Sequence, residues 1–279
     1  MSFSLVPVNV YDASFVKTSL VKHNNVWYTT LYMNRQGSGN RIKVKYFSAK
    51  DSQSGKSVAQ RYREWSAGRN VICYSSGAYM VDGYDGYTPE GFNVDNGVLV
   101  NSVLQNQKFD GLVIVYATGG MVATNLKDGD LTLDTYPNRK FDIRNRSLDK
   151  SAFQNWCQDN GATVFQTHLL VYKDQIKISP SKSSPNQAKR RFLAVGKENG
   201  QIHHAIVQFP GATTLYEGTS MVYDFLKNNK GMEIIYMINL DTGMQDVCQL
   251  YKPDGAVDTR LVGEESLDEA VNLLVYYFD

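Results

Sequence analysis

Short apolar segments rich in β-branched and aromatic residues, separated by turns that contain glycine or asparagine, dominate this chain of 279 residues. Residues 26–33 and 41–47 form two such segments, and the second alternates in the way that a half-buried strand does. Asn-Gly pairs at 96–97 and 199–200 are typical of two-residue hairpin turns. Further strand-like segments lie at 71–74, 94–100, 112–116, 191–196, 202–209 and 271–278. Together these segments predict a strand-rich fold.

Helical periodicity is found in only a few places. Residues 57–67 and 147–160 each carry an apolar face and are followed by a glycine. A third helix is predicted over residues 221–228, with Thr219 or Ser220 as its N-cap. Because strands outnumber helices and do not alternate regularly with them, we predict an α+β fold of mixed or antiparallel sheets with three or four helices.

No internal repeat and no clear linker divides the chain. We predict a β-rich segment of residues 1–54 that packs on a main domain of residues 55–279. The polar stretch 179–187 and the stretch 82–91, which is rich in glycine and tyrosine, are predicted to be loops.

Composition excludes several function classes. The formal net charge of +1 gives no overall field that would attract nucleic acid. No window approaches the ~20 apolar residues of a membrane span, and the N-terminal residues lack the basic start of a signal peptide. The compartment stays open: the protein works inside a cell, has lost a targeting segment, or leaves by a route without a signal.

Neither a metal site nor a cofactor is predicted. Cys73, Cys157 and Cys248 are far apart, and the apolar context of the first and last predicts buried free thiols. His203 and His204 alternate along one strand, so one is expected to face inward as a core histidine. The acids of residues 128–130 lack the rest of a calcium loop.

The segment Asn239-Leu240-Asp241-Thr242-Gly243-Met244-Gln245 is the strongest candidate for a site. It follows the apolar run 234–238, and a buried strand that ends in an acid and a glycine turn holds a carboxylate at the rim of a site. The alternative interpretation is a capped strand end with a solvated aspartate.

Several segments, in order and spacing, resemble the phosphodiester glycosidase family, which includes the lysosomal uncovering enzyme. The family has a strand ending in Ile-Asn-Gly-Gly-Phe-Phe, a loop with Pro and Gly, an Asp-Gly hairpin, an Arg-containing strand, a Gly-led helix and a strand ending in Asn-Leu-Asp-Gly-Gly-Gly-Ser. The counterparts here are residues 75–80, 89–91, 95–97, 191–196, 218–231 and 239–245. The resemblance covers about residues 55–279 and indicates a divergent member with the fold of that family.

The chain departs from the family pattern at several positions. Ser76 replaces the motif asparagine, and Ala78 replaces the second glycine of that motif. Of the later glycine triple only Gly243 remains, since Thr242 and Met244 replace its neighbours. Glycine lets a ligand approach the backbone, so these changes alter the loop that would present N–H groups to a ligand.

The resemblance implies cleavage of a sugar from a phosphate across the anomeric C–O bond. It makes Asp241 the candidate carboxylate, and either Arg191 or Arg190, or neither, the counterpart of the family arginine. A solvated basic cluster is the alternative for the two arginines. Candidates for substrate binding are Asn239, Ser76, Gly77, Tyr79, Thr242, Gly243 and His168. Tyr87 is a further candidate for stacking on a sugar, with packing at the rim as its alternative.

Two hypotheses follow. The first is a hydrolase that acts on sugar-1-phosphodiesters or related glycans, with a glycan or sugar phosphate as its ligand. The second is a catalytically impaired relative that binds glycans or serves in a larger assembly, such as a phage or secretion apparatus; an oligomer is compatible with either. An open pocket beside Asp241 would favour the first hypothesis, and a filled apolar one the second.

Overall fold

The computed structural model describes residues 11–48, 55–83, 86–129, 131–133, 135–180, 183, 185–209, 211–243 and 245–279. Three α-helices lie in this part of the chain: α1 (Val58–Ser66), α2 (Ser147–Asp159) and α3 (Leu215–Asp224). A π-helical turn, Phe225–Asn229, continues α3. Strands far outnumber helices, which confirms the predicted strand-rich α+β class.

The described residues form 21 strands, numbered here in chain order. They are β1 (Val16–His23), β2 (Val26–Asn34), β3 (Ile42–Phe47), β4 (Asn70–Ser75), β5 (Met80–Gly83), β6 (Gly86–Pro89), β7 (Asn93–Asp95), β8 (Val98–Asn101), β9 (Gly111–Val115), β10 (Met121–Asn125), β11 (Leu131–Leu133), β12 (Tyr136–Phe141), β13 (Thr163–Thr167), β14 (Leu169–Tyr172), β15 (Gln175–Ile176), β16 (Arg191–Glu198), β17 (Gln201–Gln208), β18 (Glu233–Leu240), β19 (Cys248–Tyr251), β20 (Val257–Val262) and β21 (Leu273–Phe278).

Three sheets with antiparallel pairing carry the fold. The largest has the order β1-β2-β17-β16-β18-β14-β15, the second β20-β19-β4-β21-β3, and the third β10-β9-β13-β7-β8. The hairpins β5-β6 and β11-β12 form two small sheets of their own. The first three strands complete the larger sheets, since β2 pairs with β17 and β3 with β21. The domain division at residue 54 stays a prediction.

Each of the three sheets has one face in a shared central core and the other face covered by a helix. Side chains of all three sheets meet in the central cluster, for example Leu193, Tyr276 and Phe165. Helix α3 packs on the far face of the first sheet, α1 on that of the second and α2 on that of the third. Because both faces of the sheet are covered, strands such as β16 have continuous apolar sequences rather than alternating apolar and polar residues.

Several local predictions are confirmed by backbone geometry. Asn96 and Gly97 have φ of 49° and 82°, and Asn199 and Gly200 have 49° and 77°, so each pair makes the left-handed turn that joins two hairpin strands. The three cysteines are free and buried. Among the described residues, no helix is long and apolar enough to cross a membrane.

The histidine prediction needs a correction, because both histidines are buried. His204 faces the central core, where its Nδ1 lies 2.9 Å from the Tyr276 hydroxyl. His203 points to the opposite face and packs against the ring of Tyr32. Burial lowers the pKa of His204 to about 3, so that ring is neutral.

Helix α3 begins six residues earlier than residue 221, the predicted start. Its N-cap is Thr214, whose hydroxyl accepts a hydrogen bond from the backbone N–H of Glu217 at 3.2 Å. Thr219, one of the two predicted caps, is buried within the helix and donates to the carbonyl of Leu215 instead. The other predicted cap, Ser220, is likewise inside α3.

The two predicted loops differ from each other. The stretch 82–91 is not simply a loop, because it contains most of the β5-β6 hairpin; residues 84 and 85 lie outside the described residues. The described residues also exclude residues 181, 182 and 184 of the polar stretch, as well as Asp130 and Met244.

Candidate functional site

The candidate site lies where the ends of several strands from different sheets meet. Asp241 directly follows β18, and residues 76–79 directly follow β4. The first residue of β16, Arg191, pairs with Leu240, so the start of β16 adjoins the end of β18. His168 lies between β13 and β14, and its carbonyl accepts a hydrogen bond from the N–H of Asn239 at 3.3 Å. The sheet pairing thus gathers residues that are far apart in sequence.

The turn after β4 is held by Asn272, a residue without any recognisable signal in the sequence. Its Oδ1 accepts the N–H groups of Gly77 and Ala78 at 2.8 and 3.0 Å, and its Nδ2 donates to the Ala78 carbonyl at 2.9 Å. A Cβ on Gly77 would lie 2.7 Å from the Tyr46 ring, so glycine is needed there for packing. Gly77 therefore shapes the turn, and its carbonyl accepts the N–H of Asp241 at 3.3 Å.

Asp241 lines a cavity of about 200 Å³, called the small cavity below. The side chain is buried, and one carboxylate oxygen accepts the N–H of Gly243 at 2.9 Å. Burial raises the pKa of Asp241 to about 6; the Gly243 N–H opposes the shift, and the charge of Asp246 adds to it. A carboxyl with this pKa is mostly ionised at neutral pH and can still exchange a proton. The cavity is lined by Tyr79, Met80, Ala188, Arg190, Asp241, Thr242 and Gly243.

The two neighbouring arginines have different surroundings. Arg191 is completely buried, and its Nη2 donates to Asp246 Oδ1 at 2.7 Å. The same guanidinium donates to Gln208 Oε1 at 2.9 and 3.1 Å and to the Ser75 hydroxyl at 3.1 Å. Arg191 lines neither cavity described here, so its position does not support the prediction that it holds a phosphate.

Arg190 instead borders the cavities. It is half-buried, and it donates to the carbonyls of Thr213 and Asn186 at 3.4 and 3.3 Å. Within the described part of the chain no carboxylate makes an ion pair with it. Its guanidinium is therefore the one of the two that a bound anion can reach.

The other predicted ligand-binding residues of these strand ends fall into two groups. Asn239 and Ser76 are fully buried and line neither cavity. The Ser76 hydroxyl donates to the Gln245 carbonyl at 2.5 Å, and the Asn239 amide donates to the Tyr79 hydroxyl. Within the described part of the chain, Asn239 Oδ1 has no hydrogen-bond partner. These two side chains position the turn and Tyr79 rather than face a ligand.

Thr242 and Tyr79 both reach the small cavity. The Thr242 hydroxyl donates to the Lys189 carbonyl at 2.6 Å, which ties the turn after β18 to the segment before β16. Burial and the charge of Asp241 raise the pKa of Tyr79, so its phenol stays protonated. Tyr87 lies in neither cavity and is exposed.

A larger cavity of about 790 Å³, called the large cleft below, shares Tyr79, Ala188 and Arg190 with the small one. His168 lies in this cleft, with its ring edge-on to the Phe109 ring at a centroid distance of 4.9 Å. Burial lowers the pKa of His168 to about 4, and the charge of Arg190 adds to this shift. The histidine is therefore neutral at physiological pH. No signal in the sequence points to Phe109, whose position in the cleft depends on the fold alone.

The described residues contain no group of three or more His, Cys, Asp or Glu side chains that could hold a metal ion.

Comparison with known proteins supports the fold alone. The catalytic domain of zebrafish N-acetylglucosamine-1-phosphodiester alpha-N-acetylglucosaminidase, solved in a form auto-inhibited by its pro-peptide, matches with a TM-score of 0.51 and 13% identity over 95% of this chain and 82% of that one. A hypothetical protein from Synechocystis matches with a TM-score of 0.49 and 11% identity over 95% and 62% of the two chains. No family model and no curated protein sequence matches.

The first prediction concerns the two arginines. Arg191→Ala leaves the buried Asp246 without its partner, and such a loss costs about 3–5 kcal/mol of stability. Arg190→Ala removes a half-buried side chain and is expected to cost less than about 1 kcal/mol. Urea unfolding of the two variants measures this difference. Equal costs would contradict the division of roles between the arginines.

The second prediction concerns the buried carboxyl. Because the pKa of Asp241 rises from 3.8 in the unfolded chain to about 6, the folded protein binds this proton more tightly. Stability is therefore lost as pH rises from about 4 to about 6. Asn has no proton to lose, so Asp241→Asn is expected to exceed the wild type by about 1–3 kcal/mol at pH 7.5 and by little at pH 4.

Urea unfolding at both pH values measures this difference. Thr242→Ser, which keeps the hydroxyl and adds no charge, serves as the control and is expected to follow the wild type. A constant difference between Asp241→Asn and the wild type at all pH values would refute a raised pKa.

Proposed function

We propose that this chain is a divergent member of the phosphodiester glycosidase family and that it hydrolyses the bond between the anomeric carbon of a sugar and a phosphodiester. The observation that carries the proposal is that Asp241 lines a cavity together with Arg190, which also lines a larger cleft. The fold shared with a glycosidase catalytic domain adds support at the level of architecture.

In the proposed reaction the sugar occupies the small cavity with its anomeric carbon near Asp241. Water attacks this carbon, the bond to the phosphate oxygen breaks, and its electron pair stays on the leaving phosphate monoester. Asp241 takes the proton from the water and passes it to solvent. A pKa of about 6 suits a base that works near neutral pH.

One carboxylate is sufficient for this chemistry. Glycosidases that release an alcohol use a second carboxyl group to protonate the leaving oxygen. The phosphate monoester that leaves here is a weak base and needs less of this help. Among the described residues that line the small cavity, Asp241 is the sole acid. This arrangement fits a phosphate leaving group better than an ordinary glycoside.

Arg190 is the proposed phosphate ligand. A guanidinium can donate two parallel hydrogen bonds to a phosphate, and it stabilises the charge that develops on the leaving group. Tyr79, which borders both cavities, offers a protonated hydroxyl and an aromatic face near the junction of sugar and phosphate. Asn239 holds that hydroxyl from behind.

A second candidate function is glycan binding without turnover, by an impaired relative or a component of a larger assembly. The inward orientation of Ser76 favours it, because the family has an asparagine at this position and the serine hydroxyl is used by the Gln245 carbonyl. Thr242, in place of a glycine, adds a side chain to the turn beside Asp241.

The third prediction tests turnover. Wild type incubated with a panel of α-sugar-1-phosphodiesters is expected to release free sugar, with kcat/KM that falls about tenfold per pH unit below about pH 6 and levels off above it. Asp241→Asn is expected to lose at least about 100-fold, the usual scale for an acid–base group. Asp254→Asn, an exposed carboxylate outside both cavities, serves as the matched control.

The outcomes separate the two functions. Equal rates for wild type and Asp241→Asn contradict the hydrolase proposal. Saturable binding of the same compounds without release of sugar supports the binding function instead.

A further inference from the structure

The large cleft has a strong excess of basic side chains. Five basic residues and two acidic ones line it, although the whole chain has a net charge of only +1. The basic residues are Lys108, Lys127, Arg144, Lys177 and Arg190, and the acids are Glu90 and Asp110.

Both acids already have partners. Glu90 pairs with Lys108 at 2.8 Å, and Asp110 pairs with Arg144 at 2.8 Å. Within the described residues, Lys127, Lys177 and Arg190 make no ion pair. Three cations in one concave surface raise each other's electrostatic energy, and a bound anion relieves that cost.

Arg144, in the wall of the same cleft, is held by groups of the protein itself. The Arg144 side chain is 9% exposed, and its Nη2 donates to the Phe109 carbonyl at 2.6 Å and to Asp110. Its charge is therefore used within the protein. Among the described residues that line the cleft, Lys127, Lys177 and Arg190 are the cations left for a bound anion.

The cleft lies on the leaving-group side of the proposed reaction. Arg190 and Tyr79 line both this cleft and the small cavity that contains Asp241. With the sugar in the small cavity, the phosphate would therefore lie beside these two residues and the attached alcohol in the cleft. Its volume of about 790 Å³ falls in the usual range for whole small-molecule ligands, ~300–1,000 Å³, and exceeds what one phosphate needs.

We infer that the large cleft binds a second anionic group, carried by the alcohol of the leaving phosphodiester. The substrate class is therefore a sugar-1-phosphodiester whose alcohol bears a further phosphate. This inference rests on the proposed function for the position of the sugar, whereas the anion site itself stands on the three cations of the cleft that make no ion pair within the described residues.

The fourth prediction uses two substrates that differ in one group. One is an α-sugar-1-phosphodiester of 1,3-propanediol, and the other carries a phosphate on the second hydroxyl of the same diol. Wild type is expected to show a KM about tenfold lower for the phosphorylated compound, the scale of a few partly exposed charge contacts. The preference is expected to shrink when the salt concentration rises from 0.05 to 0.5 M.

Variants assign the preference to the cleft. The double variant Lys127→Gln/Lys177→Gln is expected to lose most of the KM ratio between the two substrates. Lys252→Gln, an exposed lysine outside both cavities, is expected to keep it. A ratio near one in wild type, or a ratio that the double variant keeps, would overturn the inference.

Binding of 1,3-propanediol bisphosphate, measured by calorimetry, separates failure of this inference from failure of the proposed function. If wild type binds the bisphosphate, the double variant binds it more weakly and neither substrate is hydrolysed, the result supports the anion site and rejects the hydrolase. Hydrolysis of both substrates with equal KM, and no bisphosphate binding, supports the hydrolase and rejects the anion site.

Discussion

The buried ion pair between Arg191 and Asp246 determines how the candidate site is built. Its guanidinium also bonds to Ser75, the last residue of β4, and to Gln208, the last residue of β17. The Arg191 side chain, at the start of β16, thus contacts the end of β4, the end of β17 and the segment before β19. A buried charge without its partner is costly, so this arrangement tolerates little displacement.

The position of Arg190 follows from this ion pair. Successive side chains along a strand point to opposite sides. Since Arg191 is directed into the protein, Arg190 is directed away from that interior contact and borders both cavities. The pairing of Arg191 with Leu240 likewise brings Asp241 next to the segment that carries Arg190. The Arg191–Asp246 ion pair therefore brings the Asp241 carboxylate and the half-buried Arg190 together, although neither residue belongs to that ion pair.

Much of the fold can be predicted from local sequence signals, because Asn-Gly turns, helix-ending glycines and apolar runs act over short distances. The location of Asp241 at a strand end is of this kind. Which of the two adjacent arginines borders the cavities cannot be predicted locally, because it depends on the contact of Arg191 with Asp246, 55 residues further along the chain. The inward hydroxyl of Ser76 depends on the carbonyl of Gln245, 169 residues away. Asn272, which holds the turn at Gly77, gives no local signal either.

In the proposed reaction the two cavities have different tasks: the small cavity holds the catalytic carboxylate, and the large cleft binds the leaving group. The small cavity supplies one carboxylate with a pKa near neutrality, which is enough for a leaving group that needs little protonation. In the proposed reaction, the large cleft supplies more cations than a single phosphate needs, and these cations would select the leaving group. Thr242 and Gly243 line the small cavity beside Asp241.

The most direct measurement is a crystal structure of Asp241→Asn with a bound α-sugar-1-phosphodiester. The account predicts the sugar ring in the small cavity, with its anomeric carbon facing residue 241 and the phosphate oxygens hydrogen-bonded to Arg190. Arg191 is expected to keep its bonds to Asp246. A ligand bound elsewhere, or a phosphate held by a displaced Arg191 with Arg190 uninvolved, would contradict the account.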